Sequence, residues 1–382
     1  MYIGDFRIHR VINAAQRRAF VEFPYELYKN DPDWRPPLRI ERLEHQNPDK
    51  NPALKHVEKC RFLATRNGKT IGRIAAIINH PHRRKYEDDA GHFGFFDCVG
   101  EAEVGAGLLE VVEKRLRDKG CLKIIGPTDW TVNDQCGLLV DGFGAPNVVM
   151  MNHGRPYYQA IIEAAGYKKA VDMYAYYASL AGPYLSVGKK MKTWAENDPS
   201  INYRPLDMRR LHPEFHIAMD IFNDAWSENW GFIPFSPEEV DHMIKEMRPV
   251  LKPDQFLFGL IDSVPVAFVC VIPDINEAVR DLDGKLFPTG WAKLLYRLKA
   301  NKINQCRVPL MGIRKRYHNS RRGVATVAHI SHLAFEAART GSRHTHIELS
   351  WILETNKGMI GIAEQMSAKR YKTYRMYEKG LT

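Results

Sequence analysis

The sequence predicts an α/β (α+β) protein of two similar domains, each with a mixed, mostly antiparallel sheet flanked by helices. Its 382 residues are enough for two domains, and the 45% that are apolar suffice for two packed cores. Short runs of alternating apolar and polar residues, typical of strands, are separated by stretches with helical periodicity. The same order of elements occurs in both halves. We place the domains at residues 1–185 and 200–382, joined where Gly, Pro, Lys and Asp cluster.

The elements of the second half follow from periodicity and capping signals. A strand at 201–208 precedes a helix at 213–226 with apolar residues at helical spacing. Ser236, followed by Pro237 and Glu239, begins a second helix to about residue 247. Strands at 255–261 and 264–272 form a hairpin. A strand at 308–313, a helix ending at Gly341, a strand at 345–353, a helix at 356–366 and a strand at 371–377 complete this half.

The first half repeats this order. Asn67-Gly68 joins two strands at 60–66 and 70–79, and a strand at 92–99 leads to a helix at 105–119. A strand at 122–125, a helix at 156–165 and an aromatic strand at 166–177 follow. Glu101 and Glu103 lie in the turn before the helix, where they would repel a phosphate group. The first half is therefore interpreted as a degenerate copy.

A basic turn at residues 311–326 carries the clearest chemical signal in the chain. Gly323, Val324 and Ala325 form the first turn of the helix that follows it. Small residues there allow backbone N–H groups to approach a ligand, and the helix dipole favours an anion. The turn also carries five cations: Arg314, Lys315, Arg316, Arg321 and Arg322. It predicts a bound phosphate or pyrophosphate.

The order of elements from this turn onward resembles that of the acyl-CoA-binding half of the GNAT superfamily of N-acyltransferases. In both, the order is strand, phosphate turn, helix, strand, Asn, helix and aromatic strand. The superfamily turn reads Arg/Gln-x-x-Gly-x-Gly/Ala, and residues 320–325 match it at Gly323 and Ala325 but have Ser320 at the first position. Ala363 occupies the place of the tyrosine that often protonates the departing thiolate. The resemblance implies acyl-CoA as co-substrate, with no metal, held by Ile313, Arg314, Arg321, Arg322, Gly323, Val324, Ala325, Thr326 and Asn356.

Three segments narrow the resemblance. Residues 133–137, 226–232 and 371–379 are similar to those of large bacterial GNAT-like proteins related to the bacterial ceramide synthases. This similarity implies transfer of an acyl group to a lipophilic amine such as a sphingoid base. The alternative from another class is a GNAT-fold protein that has lost catalysis and binds acyl-CoA or a membrane surface as a sensor or scaffold. Ser320 and Ala363 favour that alternative.

The resemblance implies direct transfer, in which a deprotonated amine attacks the thioester and a strand N–H near residues 312–314 stabilises the oxyanion. Glu348 is the first candidate for the base, with pairing to a nearby Arg or Lys as its structural alternative. His346, on the same strand face, is the second. Tyr374 or Tyr377 would replace the missing acid, although aromatic residues of a terminal strand also serve as core.

Aromatic and polar residues outside the turn are candidates for contact with the acceptor amine. Six are expected in this role: Trp226, Trp230, Phe232, Asn133, Asp134 and Trp351. An insertion at 286–303 places apolar residues on one side of a predicted helix and Lys and Arg elsewhere. That pattern suits an anionic membrane surface or the entrance for an apolar ligand. A helix packed on its own domain has the same pattern.

Composition excludes several other classes. The net charge of +10 is spread over short basic runs, none within a nucleic-acid-binding motif, so nucleic acid is not the expected partner. No apolar run of 18 residues and no signal-peptide core occur, and six scattered cysteines indicate reduced thiols. We expect a cytoplasmic protein, peripheral at the inner membrane face if the insertion binds lipid. His329-x-x-His332 has no carboxylate or Cys at ligand spacing, so no metal site is predicted.

Overall fold

The computed structural model describes residues 1–181, 190 and 192–381. The described chain divides into two compact units. The first unit comprises residues 1–173, 279–290 and the chain from 372 onward, and the second comprises 174–278 and 291–371. The predicted end of the first domain, residue 185, lies outside the described residues, as does residue 382.

The first unit contains a sheet with one parallel pair. Its strands are β1 (Tyr2–Ile3), β2 (Phe6–Arg10), β3 (Val57–Arg66), β4 (Lys69–Asn79), β5 (Ala90–Cys98), β6 (Lys123–Gly126) and β7 (Leu138–Asp141). Its helices are α1 (Ala14–Leu27), α2 (Arg39–His45), α3 (His80–Tyr86), α4 (Ala102–Arg117) and α5 (Tyr157–Ala164). Strands β1 to β5 pair antiparallel in chain order, and β6 then joins β5 in parallel. Helix α4 packs on this sheet through Val104, Leu108 and Val112.

The second unit has the same kind of sheet. Its strands are β9 (Ile201–Pro205), β10 (Phe256–Ile261), β11 (Val264–Pro273), β12 (Gln305–Ile313) and β13 (His346–Leu353). Its helices are α6 (Leu211–Trp226), α7 (Pro237–Met247), α10 (Arg321–Thr340) and α11 (Lys357–Gln365). The strand order is β13-β12-β11-β10-β9, in which β12 and β13 are parallel and the other neighbours antiparallel. Helix α10 packs on the sheet with Ala325, Ile330 and Ala334 in the core.

Four elements have residues in both units. They are β8 (Lys168–Ser179), β14 (Lys369–Gly380), α8 (Ile275–Val279) and α9 (Gly290–Lys299). In the first unit, the end of β14 pairs antiparallel with β6 from Tyr377↔Gly126 to Gly380↔Lys123. Helices α8 and α9 both lie between β11 and β12, and α9 lies inside the predicted stretch 286–303. Three 3₁₀ turns occur at Pro52–Lys55, Pro253–Gln255 and Lys315–Tyr317.

The predicted fold class is confirmed, because each unit has a mixed, mostly antiparallel sheet flanked by helices. The capping box of α7 forms as expected, with Ser236 Oγ accepting from the backbone N–H of Glu239 and the Glu239 carboxylate accepting from that of Ser236. Elements in residues 1–56 were not predicted. Among the described residues, no helix combines the length and the apolar character that crossing a bilayer requires.

Candidate active site

The predicted phosphate turn lies between β12 and α10 in the second unit. Ser320 is the N-cap of α10, and its Oγ accepts a hydrogen bond from the backbone N–H of Gly323 at 2.9 Å. A Cβ on Gly323 would lie 2.2 Å from the carbonyl oxygen of Tyr317. Glycine is therefore required because the turn folds back onto the first turn of the helix. The departure from the superfamily pattern at Ser320 supplies a helix cap.

The cations of the turn fall into two groups. Carboxylates hold three of them: Arg314 pairs with Asp220 at 2.6 Å, Lys315 with Glu228 at 2.5 Å and Arg322 with Asp198 at 3.0 Å. Arg321 instead lies over the ring of Trp194, 4.5 Å from its centroid, and Arg316 lies over Tyr317 at 4.9 Å. Both are left with positive charge that no carboxylate in the described part of the chain offsets. The helix start therefore keeps the charge that a phosphate needs.

The other predicted acyl-CoA contacts differ in exposure. The side chain of Val324 is 52% exposed on the first turn of α10. Those of Ala325 and Thr326 are fully buried, and a Cβ on Gly259 would lie 2.4 Å from Thr326 Cγ2. Thr326 thus packs against β10. Asn356 is the N-cap of α11, and its Oδ1 accepts from the backbone N–H of Met359 at 3.1 Å.

Strands β12 and β13 separate next to the turn. Their parallel pairing runs from Gln305↔His346 to Val308↔Leu349 and stops there, although β12 continues to Ile313 beside β11. Pro309, the next residue of β12, has no N–H to give to a ladder. The edge of β12 between Pro309 and Ile313 therefore faces an opening on the side away from β11.

The directions of the backbone N–H groups in β12 change which residues can form the expected oxyanion site. Arg314 donates its N–H to the carbonyl of Val266 at 2.9 Å, so this group is already used. Alternate residues of an antiparallel pair direct their N–H groups to opposite sides. Gly312 therefore faces β11 as Arg314 does, whereas the N–H groups of Met311 and Ile313 face the opening.

Glu348, the first candidate for the base, forms a buried ion pair. Its Oε2 lies 3.2 Å from Nε of Arg307, which is opposite it in the parallel ladder, and the side chains are 0% and 2% exposed. Arg307 also donates to the carbonyl of Ser350 at 3.2 Å and lies over the ring of Trp351, 5.6 Å from its centroid. The structural alternative for Glu348, pairing with an Arg, is thus realised. Arg307 was not among the predicted site residues, although a cation inside an apolar strand is a signal that the sequence contains.

His346, the second candidate, has a more accessible ring. It stacks on Tyr177 with 4.9 Å between centroids and 10° between planes. Its Nδ1 lies 2.9 Å from Thr345 Oγ1, and Gln305 donates to the Tyr177 hydroxyl at 3.1 Å. This arrangement fixes the plane of an imidazole that is only partly buried. A neutral imidazole in such a position can accept a proton.

Three of the residues predicted to contact the acceptor, Trp226, Trp230 and Phe232, form an acceptor wall in the second unit, beside the opening. The indole of Trp226 stacks on Phe222 and donates its N–H to the carbonyl of Met311 at 2.9 Å. Phe232 is buried with its ring 5.9 Å from Phe222, and Trp230 is partly exposed in the loop after α6. The hydrogen bond from Trp226 therefore ties the start of this loop to the free edge of β12.

The first unit holds Asn133 and Asp134, which were predicted to contact the acceptor, and Tyr374, which was predicted as the acid. Asp134 lies 3.3 Å from Nε2 of His45, and the backbone of Asn133 donates to Thr131 Oγ1 at 3.1 Å. Tyr374 is fully buried there, and its hydroxyl donates to the carbonyl of Asn152 at 3.2 Å. The second unit therefore contains the turn, Glu348, His346, Trp226 and Trp351, and the first unit contains the other three residues.

The histidines that suggested a metal site in the sequence are buried in the second unit. His329 and His332 are buried in α10, and burial lowers the pKa of His329, whose ring contacts Tyr203. His344 is also buried, with Nδ1 2.8 Å from the carbonyl of Ile303. Within the described ranges, none of these histidines belongs to a group of three or more potential ligands that could hold a metal ion. They are core residues.

Known proteins with a similar sequence match along nearly the whole chain. Protein YghO of Escherichia coli K12 is 40% identical over 375 residues, which are 97% of this chain and 95% of that protein. A bacterial ceramide synthase of Caulobacter vibrioides is 36% identical over 379 residues, which are 99% of this chain and 98% of that protein. A scan against protein-family models gives no match.

Solved structures support the fold. A tandem GNAT protein from the clavulanic acid biosynthesis pathway superposes with a TM-score of 0.60 at 9% identity and 99% coverage of both chains. A GCN5-related N-acetyltransferase from Sphaerobacter thermophilus gives 0.54 at 11% identity, covering 100% of this chain and 97% of that one. The chain therefore belongs to the family of the bacterial ceramide synthase and protein YghO, and it is an acyltransferase with the tandem GNAT fold.

Proposed function

We propose that the second unit transfers an acyl group from acyl-CoA to the amine of a lipophilic acceptor, such as a sphingoid base, and so forms a ceramide-type amide. The observation that carries this proposal is the turn at Ser320–Gly323. It presents a helix N-terminus and the cations Arg316 and Arg321 directly beside the opening between β12 and β13. The 36% identity to a ceramide synthase over the full chain supports the choice of acceptor.

The turn fits the pyrophosphate of a CoA thioester. Backbone N–H groups of a first helical turn have no intrahelical partner, and the first two residues of α10, Arg321 and Arg322, are exposed. Arg316 and Arg321 supply charge. In the first unit the corresponding glycines serve packing instead, because a Cβ on Gly105 would lie 2.6 Å from Ile161 and one on Gly107 2.5 Å from Ile3. Glu101 of that unit pairs with Arg66. We therefore assign acyl-CoA binding to the second unit alone.

The proposed reaction is direct transfer. The neutral amine nitrogen attacks the thioester carbonyl carbon, its proton goes to a base, the C–S bond breaks and the CoA thiolate leaves. The backbone N–H groups of Met311 and Ile313 are the proposed oxyanion donors because they face the opening. We propose His346 or Glu348 as the base. Glu348 is fully buried and paired with Arg307, whereas the ring of His346 is partly exposed and therefore more accessible to the amine.

We also propose that α9 contacts an anionic bilayer. Leu295 is 46% exposed and Tyr296 is 63% exposed on this helix, with Lys293 and Lys299 on its exposed surface. No Asp or Glu occurs between Asp283 and Glu336 in the sequence, so no carboxylate of this stretch opposes binding to an anionic surface. Exposed apolar and basic side chains on one helix are the features of interfacial helices.

The test measures free thiol release and amide product with palmitoyl-CoA or acetyl-CoA, each with and without sphinganine. Thiol release from palmitoyl-CoA that requires sphinganine, together with an amide of the combined mass, is the expected result. Binding of palmitoyl-CoA without turnover for any long-chain amine would contradict the proposed acceptor. It would favour the sensor or scaffold alternative.

A further inference from the structure

Two histidines and an aspartate converge on the surface of the second unit. His212 and His216 are four residues apart on α6 and therefore lie on one face of that helix. Asp241 belongs to α7, and its Oδ1 lies 2.9 Å from His212 Nδ1 and 4.0 Å from His216 Nε2. One ligand atom from each residue lies within 4.8 Å of the other two.

The carboxylate oxygen at the centre of this cluster is buried and accepts no hydrogen bond from the described residues. Two imidazole nitrogens are near Asp241 Oδ1, yet neither satisfies it. A buried acceptor without a donor is costly, and each such group in a native protein calls for an explanation. A cation between the three side chains would satisfy the oxygen and both nitrogens together.

We propose that His212, His216 and Asp241 form a binding site for a divalent first-row transition-metal ion, with Zn²⁺ as the reference ion. Imidazole and carboxylate donors suit Zn²⁺ and its neighbours and do not suit Ca²⁺ or Mg²⁺, which take oxygen ligands. Two His four residues apart on one helix face are a known zinc-binding pattern. The sequence predicted no metal site. It could not group these three residues because Asp241 is distant from both histidines along the chain.

The geometry needs only a small adjustment. Tetrahedral Zn²⁺, with ligands at about 2.0–2.2 Å, places its donor atoms about 3.3 Å apart. His212 Nδ1 and Asp241 Oδ1 are already closer than this, and His216 must approach by rotation of a side chain that is 49% exposed. The side chain of His212 is 62% exposed, so water completes the coordination.

The site has a structural consequence for the acceptor wall. Helices α6 and α7 are joined by the loop that contains Trp230 and Phe232, and the ion would bridge these two helices. Binding would therefore restrict the motion of the segment that we propose contacts the acceptor amine. This consequence rests on the proposed function, but the metal site itself does not.

The test is calorimetric titration of ZnCl₂ into the full chain, free of a polyhistidine tag and treated beforehand with a chelator. One Zn²⁺ per chain is expected, with affinity at least tenfold weaker in His216→Ala and in Asp241→Asn. His242→Gln is the matched control, because His242 follows Asp241 on the same helix but faces Glu246 at 3.2 Å. Its affinity should equal that of the parent protein.

Two results would overturn the proposal. They are the absence of Zn²⁺ binding in the parent chain, and equal affinity in the parent, His216→Ala and Asp241→Asn proteins. Thermal melts in chelator verify that the variants are folded, as expected for side chains this exposed. The optical spectrum of the Co²⁺-loaded chain is a second readout, since mixed nitrogen and oxygen coordination should be lost in the same two variants. Both measurements are independent of acyl transfer.

Discussion

Replacement of Gly323 by Ala tests the phosphate turn directly. The added Cβ would lie 2.2 Å from the Tyr317 carbonyl oxygen and 2.8 Å from Tyr317 Cβ, both close to the backbone of the turn. A normal contact needs about 3.2 Å, so the turn and the helix start must separate by about 1 Å. Overpacking of this kind costs about 1–3 kcal/mol, and a displacement of about 1 Å in a binding site can cost about a hundredfold in rate.

We therefore expect kcat/KM for acyl-CoA to fall by about 10- to 100-fold in Gly323→Ala, mainly through a higher KM. Gly361→Ala is the matched control, since Gly361 lies in α11 and a Cβ there would meet no atom within 4 Å. It should keep full activity and gain about 0.5–1 kcal/mol of stability from better helix propensity. Thiol-release kinetics and urea unfolding measure both effects. Unchanged KM and stability in Gly323→Ala would refute the steric reasoning and the placement of the CoA site.

Three further predictions follow from charges and exposure. Glu348→Gln removes the carboxylate that faces Arg307 and should lower the free energy of unfolding by about 3–5 kcal/mol. If a Glu348→Met, Arg307→Met double variant regains stability but stays inactive, a catalytic role of Glu348 is supported. If the double variant regains both stability and activity, that role is excluded. Burial raises the pKa of Asp129 to about 6, so the folded state binds the proton more tightly than the unfolded state, and stability falls as pH rises from about 4 to 6. In urea titrations, Asp129→Asn should therefore stabilise the protein by about 3 kcal/mol at pH 7 and not at all at pH 3.5. Equal effects of the substitution at both pH values would contradict this reasoning. Leu295→Glu should reduce sedimentation of the protein with vesicles that contain phosphatidylglycerol. Leu122→Glu is the control and should not, because Leu122 is 59% exposed but lies in the first unit. An equal loss of vesicle binding in both variants would contradict the assignment of α9 as the membrane contact.

Periodicity and capping were sufficient to predict most elements of the two sheets, because these signals are local. The Ser236 capping box and the Asn67-Gly68 turn depend on residues within four positions of each other, and both occur in the structure. Residues 1–56 were harder because their helices depart from the usual local pattern. Helix α1 contains an internal proline, Pro24. Helix α2, for example, has no side-chain cap and no buried residue.

The site was less predictable because its contacts join distant parts of the chain. Pairing of Arg307 with Glu348 depends on the parallel register of β12 and β13, which no local pattern specifies. The hydrogen bond from Trp226 to Met311 spans 85 residues. Tyr374 is buried, as aromatic residues of a terminal strand commonly are, but the sequence did not indicate which unit it belongs to.

The pairing of β14 with β6 has a consequence for biosynthesis. Residues 377–380 pair with β6, the last of six strands that are complete by residue 126. During translation the first unit must therefore wait for the last segment of the chain while the second unit is made. Until then β6 presents unpaired backbone groups, which are a template for aggregation. A ribosome that stalls shortly before residue 377 would release a chain whose defect lies in the half that was synthesised first.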